Sequence, residues 1–311
     1  MSGVSTPKRV VTLIASATEI VAALGCEEWL VGRSHECDFP PSILDRPVCS
    51  APRINIEGDS REIDDRVKEA LSGHASIYEV HAEKLKSLAP DVIVTQTQCD
   101  VCAVSLKDVE RAFQDEIGFS PAIVPLAPFE LKNVWEDIER VAAALEIPER
   151  GVRLIEQLQR GLAEIGENTA GLSRPTVACI EWIEPPMCGG NWIPELTEIA
   201  GGKALFSRPG EHSPWLDWNE LVAEDPEYLV VLPCGWDIGK ARSEMHFLTR
   251  RPEWEQLRAV RENHMYLTDG NQYFNRPGPR LLESARILAE ILHPEEFPAT
   301  LHGAGWVRYV G

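Results

Sequence analysis

Basic residues are scarce in this chain: 30 Lys and Arg face 49 Asp and Glu, leaving a formal charge of −19 over 311 residues. A protein that tracks a phosphate backbone or rests on an anionic membrane needs clustered Lys and Arg, so nucleic acid drops out as a partner. Long hydrophobic runs are missing as well. No stretch reaches the roughly 18 apolar residues of a spanning helix, so no membrane insertion is expected. Residues 1–9 are short and polar and lack the apolar centre and small-residue cleavage site of an export signal, which predicts an unexported chain. Eight cysteines are too few for a disulfide scaffold at this length. They predict reduced thiols and a cytoplasmic location.

Hydrophobic residues make up 44% and charged residues 25% of the chain, the balance of a soluble globular protein of one large or two medium domains. The apolar run 10–15 predicts a strand, the turn Ser16-Ala17-Thr18 follows, and a helix over 19–24 stops at Gly25. A strand over 92–95, entered through Pro90-Asp91, delivers Gln96, Gln98, Cys99 and Cys102 to the loop at its end. The phrase recurs: Pro226-Glu227 leads into a strand over 228–232, which delivers Cys234, Gly235 and Trp236. Strand 177–180 with helix 194–200 echoes the opening unit, and strand 122–126 with helix 131–145 matches strand 265–268 with helix 279–292. These ordered matches predict an α/β chain of two similar lobes with largely parallel sheets, residues 1–147 and 173–311. One long helix over 148–172 joins them, with Val152, Ile155, Leu158, Leu162 and Ile165 at helical spacing behind Pro148. In such lobes the functional loops follow the carboxyl ends of strands, and a ligand is expected in the cleft.

The strand-end loops of the first lobe collect Ser16, His35, Cys37, Gln96, Cys99 and Cys102. Cys and His are soft-metal ligands, so Cys37, Cys99 and Cys102, with Cys234 from the second lobe, form a candidate set for zinc or iron. A single C-x-x-C with distant partners fits buried thiols packed beneath a pocket better. The second lobe holds Trp182, Trp192, Trp215, Trp218, Trp236, Trp254 and Trp306, seven of the nine tryptophans. Trp218 and Trp254 read as helix-face core residues, and Trp306 has no motif around it. The others, with Gly190, Asn191, His212, Asn271, Tyr273, Phe274 and Arg276, predict a pocket for a large, flat, partly apolar ligand. Gly189-Gly190 is expected to let backbone approach that ligand. The charge run 59–68 reads as a solvated face. No nucleophile elbow, Walker loop, dinucleotide fingerprint or zincin helix is present, so nothing demands catalysis.

Four phrases together carry a family resemblance: Arg9-Val10-Val11-Thr12-Leu13-Ile14-Ala15-Ser16-Ala17-Thr18-Glu19-Ile20, Val31-Gly32-Arg33-Ser34-His35-Glu36-Cys37-Asp38, Leu88-Ala89-Pro90-Asp91-Val92-Ile93 and the long linking helix. In that order they resemble the cobalamin and iron-siderophore substrate-binding proteins of ABC importers, over nearly the whole chain. The resemblance implies a class III periplasmic-binding-protein fold with the ligand held between two lobes, and it is strongest to the corrinoid-binding branch.

A non-enzymatic cytoplasmic binder of a cobalamin-type corrinoid is therefore expected. Trp192, Trp215, Trp236, Tyr273 and Phe274 would supply apolar walls, Gln96, Asn191 and Asn271 would bond the amide rim, and His212 or His35 would approach the axial face. Ser16, Gly190 and Arg276 complete the candidate ligand set. Two alternatives stay open, a metal-dependent or thiol enzyme using the four cysteines and an iron-siderophore binder. Without an export signal an ABC permease partner is in doubt.

Overall fold

The computed structural model describes residues 6–73, 76–98, 104, 106, 109–110 and 121–310. The chain forms two compact units. Met1–Glu57, Asp65–Pro128 and Lys132–Gln157 make up the first; Gly58–Asp64, Phe129–Leu131 and Leu158–Gly311 make up the second.

The first unit holds β1 (Val10–Thr12), β2 (Leu30–Arg33), β3 (Ser50–Pro52), β4 (Tyr78–Val80), β5 (Val92–Gln96) and β6 (Ala122–Leu126). Four of these make a parallel sheet in the order β2-β1-β5-β6, while β3 and β4 form an antiparallel ribbon. All five residues of β5 are buried, as expected of a central parallel strand covered on both faces. The helices are α1 (Ala15–Ala23), α2 (Ser60–Ser72), α3 (Ala82–Leu88), α4 (Leu131–Ala144) and α5 (Pro148–Thr169). Residues 60–64 of α2, Leu131 of α4 and residues 158–169 of α5 fall in segments that group with the second unit. Strand β1 is shorter than the apolar run, because Ala15-Ser16-Ala17-Thr18 already winds into α1. The Thr12 and Thr18 hydroxyls, 2.6 Å apart, tie that turn together. Gly25, at φ +72°, lets the chain leave α1, and Arg150 donates to the Leu24 and Gly25 carbonyls at 3.0 and 3.1 Å. In α5, Ile155, Leu158, Leu162 and Ile165 form the buried stripe, whereas Val152 is exposed.

The second unit holds β7 (Thr176–Trp182), β8 (Met187–Cys188), β9 (Lys203–Ala204), β10 (Tyr228–Val231), β11 (Met265–Thr268) and β12 (Trp306–Arg308). Its longer helices are α6 (Ile193–Ile199), α7 (Trp218–Glu224), α8 (Ile238–Glu244) and α9 (Leu281–Leu292). The parallel path β9-β7-β10-β11 repeats the order β2-β1-β5-β6, with α6 following β7 as α1 follows β1. Strands β8 and β12 add antiparallel edges. Trp306, which carries no sequence motif, is buried in β12 and donates its indole N–H to Glu290 at 2.8 Å.

The charge run 59–68 is not simply a solvated face. It opens α2 with a capping box, in which the Asp59 amide donates to Glu62 at 3.2 Å and the Glu62 amide to Asp59 at 2.9 Å. Ser60 is fully buried, and its amide and hydroxyl both donate to Glu244 at 3.0 and 3.1 Å. Arg61 and Arg251 each donate to one oxygen of the buried Glu184 at 2.5 Å. These partners lie 184 and 123 residues away in sequence, beyond any local pattern.

Candidate functional site

In the first unit β1, β2 and β5 end side by side, so the residues that follow them share one sheet edge. Ser16 stands in the first turn of α1, His35 follows β2 and Gln96 closes β5, which brings three predicted residues to that edge. Ser16 is 1% exposed, and its hydroxyl has no hydrogen-bond partner among the described residues. His35 Nδ1 lies 2.9 Å from the Ser50 hydroxyl, which also accepts the His35 amide at 3.3 Å. The imidazole packs against Tyr78 at 5.5 Å between ring centroids. Burial, and then the charge of His81, holds the His35 pKa below its usual 6.5. The ring is therefore neutral near pH 7, the form that can coordinate a metal.

The cysteine metal set finds no support. Cys37 is fully buried, its sulfur is 4.0 Å from the Thr12 carbonyl, and burial pushes its thiol pKa up, away from the thiolate a metal needs. Cys99 and Cys102 lie outside the described residues. Cys234 is half-buried in the second unit. Among the described residues no group of three His, Cys, Asp or Glu comes together to hold a metal ion. Cys49 and Cys179 are buried too, and burial pushes their thiols up to about 11 and about 12.

In the second unit the loops after β7, β10 and β11 are laced into one edge. The Cys234 amide donates to the Glu181 carbonyl at 3.0 Å, and the Asn271 amide to the Trp236 carbonyl at 3.1 Å. The Glu181 carboxylate accepts the Ser213 hydroxyl at 3.1 Å, and that hydroxyl accepts the Gly190 amide at 3.1 Å. Two predicted contacts prove to be braces. A Cβ on Gly190 would sit 2.5 Å from the Ser213 nitrogen and 2.7 Å from the Glu211 carbonyl. The close approach expected for a ligand is thus made by the chain's own backbone. Asn191 belongs to the same brace: at φ +52° its amide donates to Glu211 at 2.7 Å, and its carbonyl accepts from Gly210 at 3.2 Å.

Trp192 is 6% exposed and donates its indole N–H to the carbonyl of Phe274, itself 0% exposed, at 2.9 Å. Neither presents a wall to a ligand; together they fasten the loop after β7 to the loop after β11. His212 is exposed, with Nδ1 3.0 Å from the neighbouring Ser213 carbonyl. Trp215 is 57% exposed. Trp236 is half-buried, its ring 4.9 Å from that of Trp182 at 43°, with the Lys240 ammonium 4.8 Å above it. Asn271 accepts from Arg276 at 2.9 Å, and the half-buried Tyr273 lies beneath the Arg280 guanidinium, 5.5 Å from the ring centre.

Sequence reasoning passed over Asp269, Gly270 and Arg280. Gly270–Phe274 is a single π-helical turn, opened by Asp269, whose carboxylate accepts the Gln272 amide at 2.7 Å. A Cβ on Gly270 would fall 2.2 Å from the Pro233 carbonyl oxygen, so only glycine passes there. The signal for this turn is Asp-Gly directly after an apolar strand.

This chain is 22% identical over 298 residues to an uncharacterized ABC transporter substrate-binding lipoprotein of Bacillus subtilis, covering 94% of this chain and 82% of that one. It is 21% identical over 290 residues to the vitamin B12-binding protein of Photorhabdus laumondii, covering 92% and 88%. Among solved structures, a periplasmic heme-binding protein from Pseudomonas aeruginosa superposes with a TM-score of 0.69 at 18% identity, covering 94% of each chain. The fold is the class III periplasmic-binding-protein fold. These relatives overturn the cytoplasmic expectation: a lipoprotein and a periplasmic protein point to the far side of the cell membrane. No described helix is long and apolar enough to cross a membrane. Proteins of this kind bind substrates and are not enzymes. The model of the family described as periplasmic binding protein matches residues 10–272, and with strand order, loop placement and relatives in agreement, the chain belongs to that family.

Proposed function

We infer that this substrate-binding protein takes a cobalamin-type corrinoid and hands it to an ABC-type permease. The observation that carries this reading is the indole surface at the strand ends of the second unit, with Trp215 exposed and Trp236 half-buried against Trp182. A corrin is a broad disc with an apolar body and an amide rim. Indole faces suit the body, and the side chains of Asn191 and Asn271 suit the rim. The B12-binding relative supports the same ligand class. His35, held neutral by its burial, and the exposed His212 are the candidate axial donors.

The test is titration of the full chain with aquocobalamin, followed in the visible spectrum and by tryptophan fluorescence, with hemin in parallel. Low-micromolar cobalamin binding with quenching is the expected result. Hemin binding without cobalamin binding would replace the ligand by heme. A flat response to both would overturn the reading.

A further inference from the structure

We propose that Lys240 is a removable cap on the Trp236 ring, latched by the strap Gly58–Asp64, so that a ligand seated on this indole and the docked strap compete. The inference rests on the indole reading above and adds to it a positioning residue and a moving part. Lys240 lies in the first turn of α8, where Asp237 caps the helix by accepting the Lys240 amide at 2.8 Å. Its ammonium makes three contacts. It donates to the Gly58 carbonyl at 2.7 Å and to Glu244, one turn further along α8, at 2.9 Å, and it stands 4.8 Å from the centre of the Trp236 ring. An ammonium so close over the ring holds the place that a flat apolar body would take.

The strap groups with the second unit, whereas the chain up to Glu57 and from Asp65 groups with the first. It begins at Gly58, whose φ of +119° suits glycine alone. Two buried carboxylates receive it: Glu244 accepts the Ser60 amide and hydroxyl, and Glu184 accepts Arg61. Each carboxylate also has a resident cation outside the strap, Lys240 on Glu244 and Arg251 on Glu184. Undocking therefore strands neither charge, which is what a reversible joint requires. The capping box of Asp59 and Glu62 is internal to the strap, so the segment moves as one preformed turn.

The Lys240 side chain keeps 37% of its surface in water, against 5% for Glu244. Its contacts are screened and individually weak, so the ammonium can leave while the carboxylate beneath it stays. One ammonium serves the ring, the strap carbonyl and Glu244 together. A ligand that lifts it off Trp236 takes a donor from Gly58, and by linkage a loosened strap frees the indole.

The test is hydrogen exchange of the 58–64 amides, that of Ser60 above all, in the full chain without ligand. In Lys240→Ala this exchange should rise about two- to tenfold while the β10 amides and the melting temperature stay close to wild type. Lys240→Arg, which keeps a cation and donors, should restore protection. Unchanged exchange in Lys240→Ala, or strap amides that open only together with β10, would overturn the latch. The second arm adds aquocobalamin and, separately, hemin. Whichever binds the wild-type chain should bind Lys240→Ala about two- to tenfold more tightly, and at saturation it should speed strap exchange in the wild-type chain but not in the variant. Affinity that is equal or lower in the variant, or strap exchange indifferent to ligand, overturns the competition and leaves the ligand reading intact. If neither compound binds, the ligand reading fails, and the latch stands or falls on the ligand-free exchange.

Discussion

The two units share a strand order and differ at the edge where their strands end. The edge of the first carries small hydroxyls and one imidazole: Thr12, Ser16, Thr18 and Ser34 are buried there, and His35 rests on Ser50. The edge of the second is built from indoles and guanidiniums, braced by backbone passing against backbone at Gly190 and Gly270. Topology is thus carried by apolar strands that both units repeat, while chemistry is carried by loops that they do not. A loop edge of wide aromatic groups must be held open by rigid turns, whereas short hydroxyl side chains need no such frame.

The largest effect that separates the edges is expected at glycine. Gly270→Ala drives a methyl group into the Pro233 carbonyl, a backbone atom that cannot swing aside, and should cost about 3 kcal/mol. Gly32→Ala in the first unit meets the tips of Leu88 and Cys49, which can give, and should cost about 1 kcal/mol. Urea unfolding measures both, and equal losses would remove the distinction between a braced and an unbraced edge.

Next comes Trp192→Phe, which keeps an aromatic ring, gives up part of the indole's volume and leaves the Phe274 carbonyl without its donor. A loss of about 1–3 kcal/mol is expected in the same assay. No change would mean that the loops after β7 and β11 are held by packing alone.

Ligand affinity gives a smaller contrast. Trp236→Ala should weaken corrinoid binding about tenfold, the scale of a lost aromatic contact, and Ser16→Ala clearly less. A reversal of that order would move the binding surface to the first unit.

The smallest effect is in pH. Burial and His81 lower the His35 pKa, so the folded chain keeps this ring neutral while the unfolded chain takes up a proton near 6.5. Its contribution to stability is therefore present above 6.5 and is lost as the pH falls through the folded value. His35→Asn should flatten the stability profile on the acid side of 6.5, as read by thermal melts across that range. An unchanged slope would assign the acid sensitivity elsewhere.

The strands and the long helix were legible because their residues are patterned locally. All of β5 is buried and it opens with the apolar run Val92-Ile93-Val94, and Ile155, Leu158, Leu162 and Ile165 mark α5 by spacing alone. The presence of tryptophan in the second unit's loops was equally plain, but its use was not. Whether an indole faces a ligand or a neighbouring carbonyl depends on a partner such as Phe274, which is 82 residues from Trp192. The same limit hid the anchoring of Ser60 by Glu244 and the role of Gly190, where sequence shows the freedom of glycine but not what comes close to it. Arg280 escaped notice because it stands at the start of α9, where a charged residue looks like ordinary helix decoration.

The tilted pair of Trp182 and Trp236 gives the molecule an optical gauge of its own. Two indoles 4.9 Å apart at 43° couple their electronic transitions, and the coupled pair should contribute a circular-dichroism couplet whose amplitude follows the angle between the rings. A guest molecule seated against either ring would alter that signal directly, so occupancy becomes readable without a label, through the handedness of absorbed light.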